Sequence, residues 1–221
     1  MSKIRFTEPN REILARRDSI INDLTRLVDP AGLITSTDEC RAYETDALTA
    51  YRKMPLAVVL PKTTEEVSAV LKYCHDTGVK VVPRGAGTSL AGGAIPSEDA
   101  VVLGLSKMNR VLAVNYDDRF IRVEAGVTNL SVTAVVAENG FFYAPDPSSQ
   151  LACTIGGNIA NNSGGAHCLK YGVTTNNLLG VRMVLIDGSI IDLGGDYLDS
   201  AGLDLLGLVV GSEGQLGIVT E

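Results

Sequence analysis

The sequence predicts an α+β fold in which a small parallel βαβ part precedes a larger, mainly antiparallel part. Three observations carry this. A strand–helix–strand pattern runs from Ala57 to Val82. After Asn109 short strands pair around turn signals instead. The composition is that of a folded globular protein, since 45% of the 221 residues are hydrophobic and only 20% are charged.

The elements follow in order. Residues 10–28 place Ile13, Leu14, Ile20, Ile21, Leu24, Leu27 and Val28 on one side of a 3.6-residue period, with Arg11, Arg16, Arg17 and Asp23 outward. This is an amphipathic helix, ended by Pro30 and Gly32. Residues 33–54 are polar and irregular and read as a surface connector. Ala57–Leu60 is a short apolar strand. Thr63, Thr64, Glu65 and Glu66 then form a capping-box sequence. Val67, Val70, Leu71 and Cys74 repeat at helical spacing, and Gly78 stops the helix. Val79–Val82 is the second strand, expected beside the first as its parallel neighbour through a right-handed crossover. Val101–Leu103 is a third strand.

Arg110–Asn115 and Phe120–Ala125 read as a hairpin turning at Tyr116–Arg119. Asn129–Asn139 is a helix with Leu130, Ala134 and Ala137 inward, closed by Gly140. Asp187-Gly188 joins Val181–Ile186 to Ser189–Leu193 in a two-residue hairpin. Leu203–Val210 is a short helix and Leu216–Thr220 a last strand. Three regions result: 1–54, an N-terminal helix and connector; 55–108, a small α/β subdomain; and 109–221, a larger α+β subdomain. The chain stops within a strand-like motif without a polar tail, the pattern of a piece of a longer polypeptide.

Composition excludes several classes. A net charge of -7 argues against nucleic acid, which is held mainly by clustered Lys and Arg. The charged N-terminus has no signal-peptide pattern. No apolar run approaches the ~20 residues that span a bilayer. Cys40, Cys74, Cys153 and Cys168 form no C-x-x-C pair and read as reduced, cytosolic thiols. No zinc-ligand spacing and no Walker loop occur, so no metal site is expected.

The 23 glycines carry the functional signal. The first cluster is Pro83-Arg84-Gly85-Ala86-Gly87-Thr88-Ser89-Leu90-Ala91-Gly92-Gly93. Successive N–H groups in such a turn can converge on an anion, and Thr88 and Ser89 add hydroxyl donors. A flexible turn is the plainer reading. The Rossmann fingerprint does not fit, because Leu90 stands at the third glycine position and the loop follows the second strand of the unit. The second cluster runs through Pro145-Asp146-Pro147-Ser148-Ser149, Thr154-Ile155-Gly156-Gly157-Asn158 and Asn161-Asn162-Ser163-Gly164-Gly165. A surface loop with Asx turns would also look like this, although long structureless loops in compact domains are usually functional. The third is Gly211-Ser212-Glu213-Gly214-Gln215-Leu216-Gly217-Ile218-Val219-Thr220. His167 and Cys168 are adjacent and therefore diverge, which makes them a poor catalytic pair. Gly87–Ala91 approximates a serine-hydrolase elbow around Ser89, with Ala in the last place.

In this order, the PRGAGTS, DPSSQLACTIGGNIANNSGG and GSEGQLGIVTE segments resemble the FAD-binding domain of the vanillyl-alcohol oxidase and cresol methylhydroxylase superfamily. They are most similar to its bacterial 2-hydroxy-acid dehydrogenase branch, which contains the FAD-binding catalytic subunit (D subunit) of glycolate oxidase. HCLKYG at 167–172 and YETDALTAYR at 43–52 share the likeness. The resemblance implies non-covalent FAD, since no residue from Arg84 to Gly93 is His. It implies that Arg84, Gly85, Ala86, Gly87, Thr88 and Ser89 wrap the pyrophosphate. Asp146, Ser148, Ser149, Thr154, Ile155, Gly156 and Gly157 would line the ribityl and flavin side. Asn161, Gly164 and Gly165 would close over the cofactor, and Glu213, Gly214, Gly217, Ile218 and Val219 would meet adenine and the flavin edge through backbone groups.

The implied reaction is oxidation of a small 2-hydroxy acid, glycolate to glyoxylate or D-lactate, by hydride transfer to flavin. Electrons would pass to a second flavin-domain subunit and an iron–sulfur subunit. The implied location is cytoplasmic, peripheral at the inner face of the plasma membrane through those partners. The C-terminal substrate domain, which supplies the general base, is absent, so no catalytic residue is assigned. A non-catalytic FAD-binding assembly module and a serine hydrolase are the other readings.

Overall fold

The computed structural model describes residues 7–197 and 202–221. The first six residues of the expected N-terminal region lie outside the described ones. The single helix expected over 10–28 is two, Arg11–Ala15 and Arg17–Leu24, broken at Arg16. The Asn10 side chain caps the first by accepting from the Glu12 amide at 2.9 Å. Ile13, Ile20, Leu24 and Val28 are buried as their spacing requires. The connector is less irregular than expected. It contributes strand β1 (Leu33–Ile34), a short helix (Thr37–Cys40) and a buried Cys40.

Strands β2 (Ala57–Val59), β3 (Lys80–Arg84) and β4 (Ala100–Gly104) complete the first sheet, in the order β1-β2-β4-β3. The expectation that β2 and β3 are neighbours is corrected here: each pairs in parallel with β4, which lies between them. The reason is burial. Every residue of β4 is buried, so it takes the centre, whereas β3 begins with the exposed Lys80 and takes an edge. The helix Thr64–Thr77 links β2 to β3. Thr63 Oγ1 caps it by accepting from the Glu66 amide at 3.2 Å, and Gly78 ends it at φ 73°.

Asp99 ties the N-terminus to this sheet. It is fully buried, and its Oδ2 accepts from the Asn10 amide at 2.9 Å and from Lys80 Nζ at 2.8 Å. Burial alone would raise its pKa. Hydrogen bonds from Lys80, Ser97 and the Asn10 amide more than reverse this and hold it at about 2, against 3.8 unperturbed. A depressed carboxylate stabilises the fold above its unfolded pKa, and that contribution disappears as pH falls from about 4 through 2. We expect Asp99→Asn to cost about 2 kcal/mol at pH 7. The difference from wild type should vanish near pH 2. Urea titrations at pH 7 and at low pH check this, and a pH-independent difference would refute it.

The second part begins with the hairpin of β5 (Val111–Asn115) and β6 (Phe120–Val123). The helix expected over 129–139 spans Asn129–Val136 and finishes as a 3₁₀ turn at Asn139, with Gly140 in the left-handed region. Its inward face is not the expected one. Asn129, Val132 and Val136 are buried, whereas Leu130 is 38% exposed and Ala134 and Ala137 are exposed. Strands β7 (Gly180–Val184) and β8 (Ile190–Gly194) form a hairpin around Asp187-Gly188 as expected, but its connection is three residues, not two: the Leu185 amide donates to the Ser189 carbonyl at 2.8 Å, and Gly188 takes φ 87° between them. Strand β9 (Ile218–Val219) pairs with β7 on its other side, following the helix Leu205–Val209.

The two parts share a core. Leu103, Leu105 and Met108 from the first pack with Ala125, Val184 and Ile218 from the second. A buried hydrogen bond of 3.0 Å from Thr64 Oγ1 to Thr220 Oγ1 joins the start of the long helix to the chain beyond β9.

Candidate functional site

Strand β3 delivers the first glycine cluster. Its last residue, Arg84, pairs with Gly104, and its carbonyl accepts from the Leu105 amide at 3.0 Å. The chain then leaves the sheet. The Arg84 side chain folds beneath the loop: Nη1 donates to the Thr45 carbonyl at 2.7 Å, and the guanidinium stacks on Tyr43 at 5.5 Å from the ring centroid. Burial pulls its pKa below the usual guanidinium value, while Tyr43 and Asp46 oppose that. Gly87, at φ 71°, makes room for it, since a Cβ there would stand 2.3 Å from Arg84 Nη2. The Ala47 amide donates to the Gly87 carbonyl at 2.9 Å, so the 43–47 segment braces the loop from outside. Among the described residues, no backbone amide from Gly85 to Leu90 donates to a protein acceptor. Consecutive free amides on a turn are the donor set of an anion-binding nest.

The second cluster supplies the helix Ile155–Asn161. Thr154 caps it, its Oγ1 accepting from the Gly157 amide at 3.3 Å. The Ile155 and Gly156 amides donate to the carbonyls of Val127 and Ala125 at 2.9 and 2.8 Å. Gly156 permits that approach, because a Cβ would lie 2.8 Å from the Ala125 Cβ. A Cβ on Gly85 would lie 2.6 Å from Thr154 Oγ1, so the first loop abuts the start of this helix. Behind the helix runs a buried polar chain. Asn129 Nδ2 donates to the Pro145 carbonyl at 3.0 Å and to Asn158 Oδ1 at 2.9 Å, and Asn158 Nδ2 donates to Cys153 Sγ at 3.3 Å.

The third cluster closes the ring. The Gly211 and Glu213 amides donate to the carbonyls of Ile159 and Ala160 at 2.9 and 2.8 Å, near the helix C-terminus. Gly214 packs on Pro83, with 2.8 Å between a notional Cβ and Pro83 Cγ. All three clusters therefore border one cleft of about 230 Å³.

Of the residues expected at the site, Arg84, Gly85, Ala86, Gly87, Thr88 and Ser89 line this cleft. Ser149, Thr154, Gly156, Gly157 and Asn161 line it too, as do Glu213, Gly214, Gly217, Ile218 and Val219. Asp146, Ser148, Ile155, Gly164 and Gly165 are not among the lining residues. Ile155 is buried in a separate apolar cluster with Val127, Val132 and Met183. The Asp146 carboxylate instead holds His167, accepting from its amide at 3.0 Å and pairing with Nδ1 at 2.6 Å. The His167 amide, opposing burial and then helped by the ring, keeps the Asp146 pKa below the usual carboxylate value. Gly165 lies against the Asp146 carbonyl, where no side chain would fit. Ser89 Oγ accepts from the Ala91 amide at 3.2 Å.

Sequence reasoning gave no cofactor contact to Cys153, Asn158 and Ser212, which line the cleft, nor to the apolar wall of Ala94, Leu105, Ile159 and Val209. Asn158 was findable, lying four residues after the Thr154 cap and hence one turn along the same face. The apolar wall carries no local signal.

The FAD binding domain family matches residues 55–194. This chain belongs to that family. As an FAD binding domain it is 49% identical over 205 residues to the glycolate oxidase subunit GlcD of Escherichia coli, covering 93% of this chain and 41% of that subunit. It is 47% identical over 180 residues to GlcD of Bacillus subtilis, covering 81% of this chain and 38% of that one. It is 40% identical over 205 residues to D-lactate dehydrogenase of Archaeoglobus fulgidus, covering 92% and 45%. The chain thus spans less than half the length of these relatives. Its fold matches that of alkyldihydroxyacetonephosphate synthase with a TM-score of 0.79 at 24% identity, over 98% of this chain and 44% of that one. The α+β expectation and its FAD-domain type are borne out. Among the described residues, no helix is long and apolar enough to cross a membrane.

Proposed function

We propose that this chain binds FAD non-covalently in the shared cleft and that the full-length protein oxidises a small 2-hydroxy acid, glycolate or D-lactate. One observation supports the binding reading above others: the run of unpaired amides from Gly85 to Leu90 on a loop that lines the cleft. They suit a diphosphate without a local lysine, which explains how a protein of net charge -7 would hold an anionic cofactor. The residues present fit the group. Gly85 and Gly87 keep the loop close-packed on Thr154 and Arg84, and Thr88, Ser89 and Thr154 offer neutral hydroxyls along the cleft. The wall of Leu105, Ile159 and Val209 excludes water from one side. Bound FAD would supply the electron acceptor. This chain's part is to bind and orient it.

The likeness to the GlcD subunits and to D-lactate dehydrogenase supports the substrate class. The same likeness supports a place in a glycolate oxidase complex. There a second flavin-domain subunit and an iron–sulfur subunit would take the electrons at the cytoplasmic face of the membrane. The general base and substrate carboxylate site belong to the remainder of such a protein.

Flavin-free protein loaded with FAD should stay yellow after the unbound cofactor is removed by gel filtration. At 100 times Kd its Tm should rise by about 5–10 °C. A colourless preparation with an unchanged Tm would remove the flavin reading. Dye reduction by the full-length protein, with glycolate against D-lactate, then settles the substrate.

A further inference from the structure

One acidic side chain of the third cluster stands against the first loop at the cleft. Glu213 lies at φ 54°, in the left-handed region that L side chains rarely adopt. From 211 to 217 the other positive-φ positions, Gly211, Gly214 and Gly217, are all glycine. Position 213 alone keeps a side chain there, at a conformational cost that glycine would not carry. Its amide is fixed to the Ala160 carbonyl, so the backbone cannot relax freely. Its carboxylate extends to the far end of the first loop, where a Cβ on Gly93 would stand 3.6 Å from Glu213 Oε2.

Among the described residues that line the cleft, Glu213 is also the only carboxylate. The one lining cation, Arg84, is committed to Thr45 and Tyr43. A carboxylate repels a diphosphate, but it accepts strongly from hydroxyls. We propose that the Glu213 carboxylate binds vicinal sugar hydroxyls of the cofactor and so sets its direction in the cleft. Its negative charge reserves the Gly93 end for a sugar. The diphosphate is left to the free amides of Gly85–Leu90. This rests on the FAD reading. The hydroxyls belong to either the adenosine ribose or the ribityl chain, and the two differ in experiment.

Glu213→Gly and Glu213→Gln are made in the full chain. FAD, FMN, riboflavin and ADP are titrated against the flavin-free proteins by calorimetry, with Tm recorded without ligand. Glu213→Gly releases the backbone strain, so its ligand-free Tm should rise by about 2–4 °C. Its FAD affinity should fall about 10–100-fold, the loss of a charge-assisted hydrogen-bond pair. Glu213→Gln, which keeps an acceptor without the charge, should fall between and carries the test if the glycine variant misfolds. A residue with a purely structural role would not give higher stability with weaker binding. A loss shared by ADP but not FMN places the carboxylate on the ribose. One shared by FMN and riboflavin but not ADP places it on the ribityl chain. If wild type binds FAD and both variants bind it equally well or better, the role of Glu213 is refuted and the FAD reading stands. If wild type does not bind FAD, both fall.

Discussion

Gly87→Val should weaken FAD binding by at least about 100-fold. Two costs combine. A β-branched residue at φ 71° is strained by about 1–2 kcal/mol. Its Cβ would also collide with the Arg84 guanidinium, 2.3 Å away, and force that group off the Thr45 carbonyl. A hydrogen bond to a charged group is worth about 1.5–3 kcal/mol. Together these come to about 2.5–5 kcal/mol, against the ~2.7 kcal/mol that corresponds to 100-fold. The loop avoids them only by giving up the shape that presents its amides. The sequence alone points to a side chain filling the anion nest. The structure locates the conflict on the other side of the loop, against Arg84. Isothermal titration of FAD into both proteins measures the effect, and an affinity within a few-fold of wild type would place the diphosphate site elsewhere.

The second large effect is expected at Asn129. Asn129→Leu keeps the volume but removes the donor to the Pro145 carbonyl and to Asn158 Oδ1, both at buried positions. Leaving such acceptors unpaired costs about 1–3 kcal/mol each, so a loss of about 2–4 kcal/mol is expected. Asn158 and Cys153 line the cleft and take their orientation from this chain, so FAD binding should weaken as well. Urea denaturation with and without FAD checks both parts. A stability loss under about 1 kcal/mol would mean that water or a rearranged Asn158 satisfies the carbonyls.

Asn129 also shows where sequence reading reaches its limit. Periodicity put Leu130, Ala134 and Ala137 inward because apolar side chains are the usual guide to a core. The buried face instead holds a polar residue whose partners, Pro145 and Asn158, lie 16 and 29 residues away. The order of the first sheet fails for a similar reason. Adjacency in sequence placed β2 beside β3, but the most thoroughly buried strand, β4, took the position between them. The long helix and the Asp187-Gly188 hairpin were legible, because a cap, a left-handed glycine or a tight turn acts over a few residues.

At the site, the glycine clusters announced themselves because the absence of a side chain is a property of the residue itself. That the three converge on one cleft was decided by packing: Gly85 on Thr154, Gly214 on Pro83, and the Gly211 and Glu213 amides on the end of the 155–161 helix. Asp146 had the right chemistry for a cofactor cleft but was drawn to His167. The amino-acid order by itself therefore determined the local elements, the supply of unhindered amides and the family likeness. Only the tertiary structure decided which amides stay unpaired, where Arg84 turns and which polar groups meet. Those outcomes depend on contacts between segments tens to more than a hundred residues apart, whose energies no short window of sequence contains.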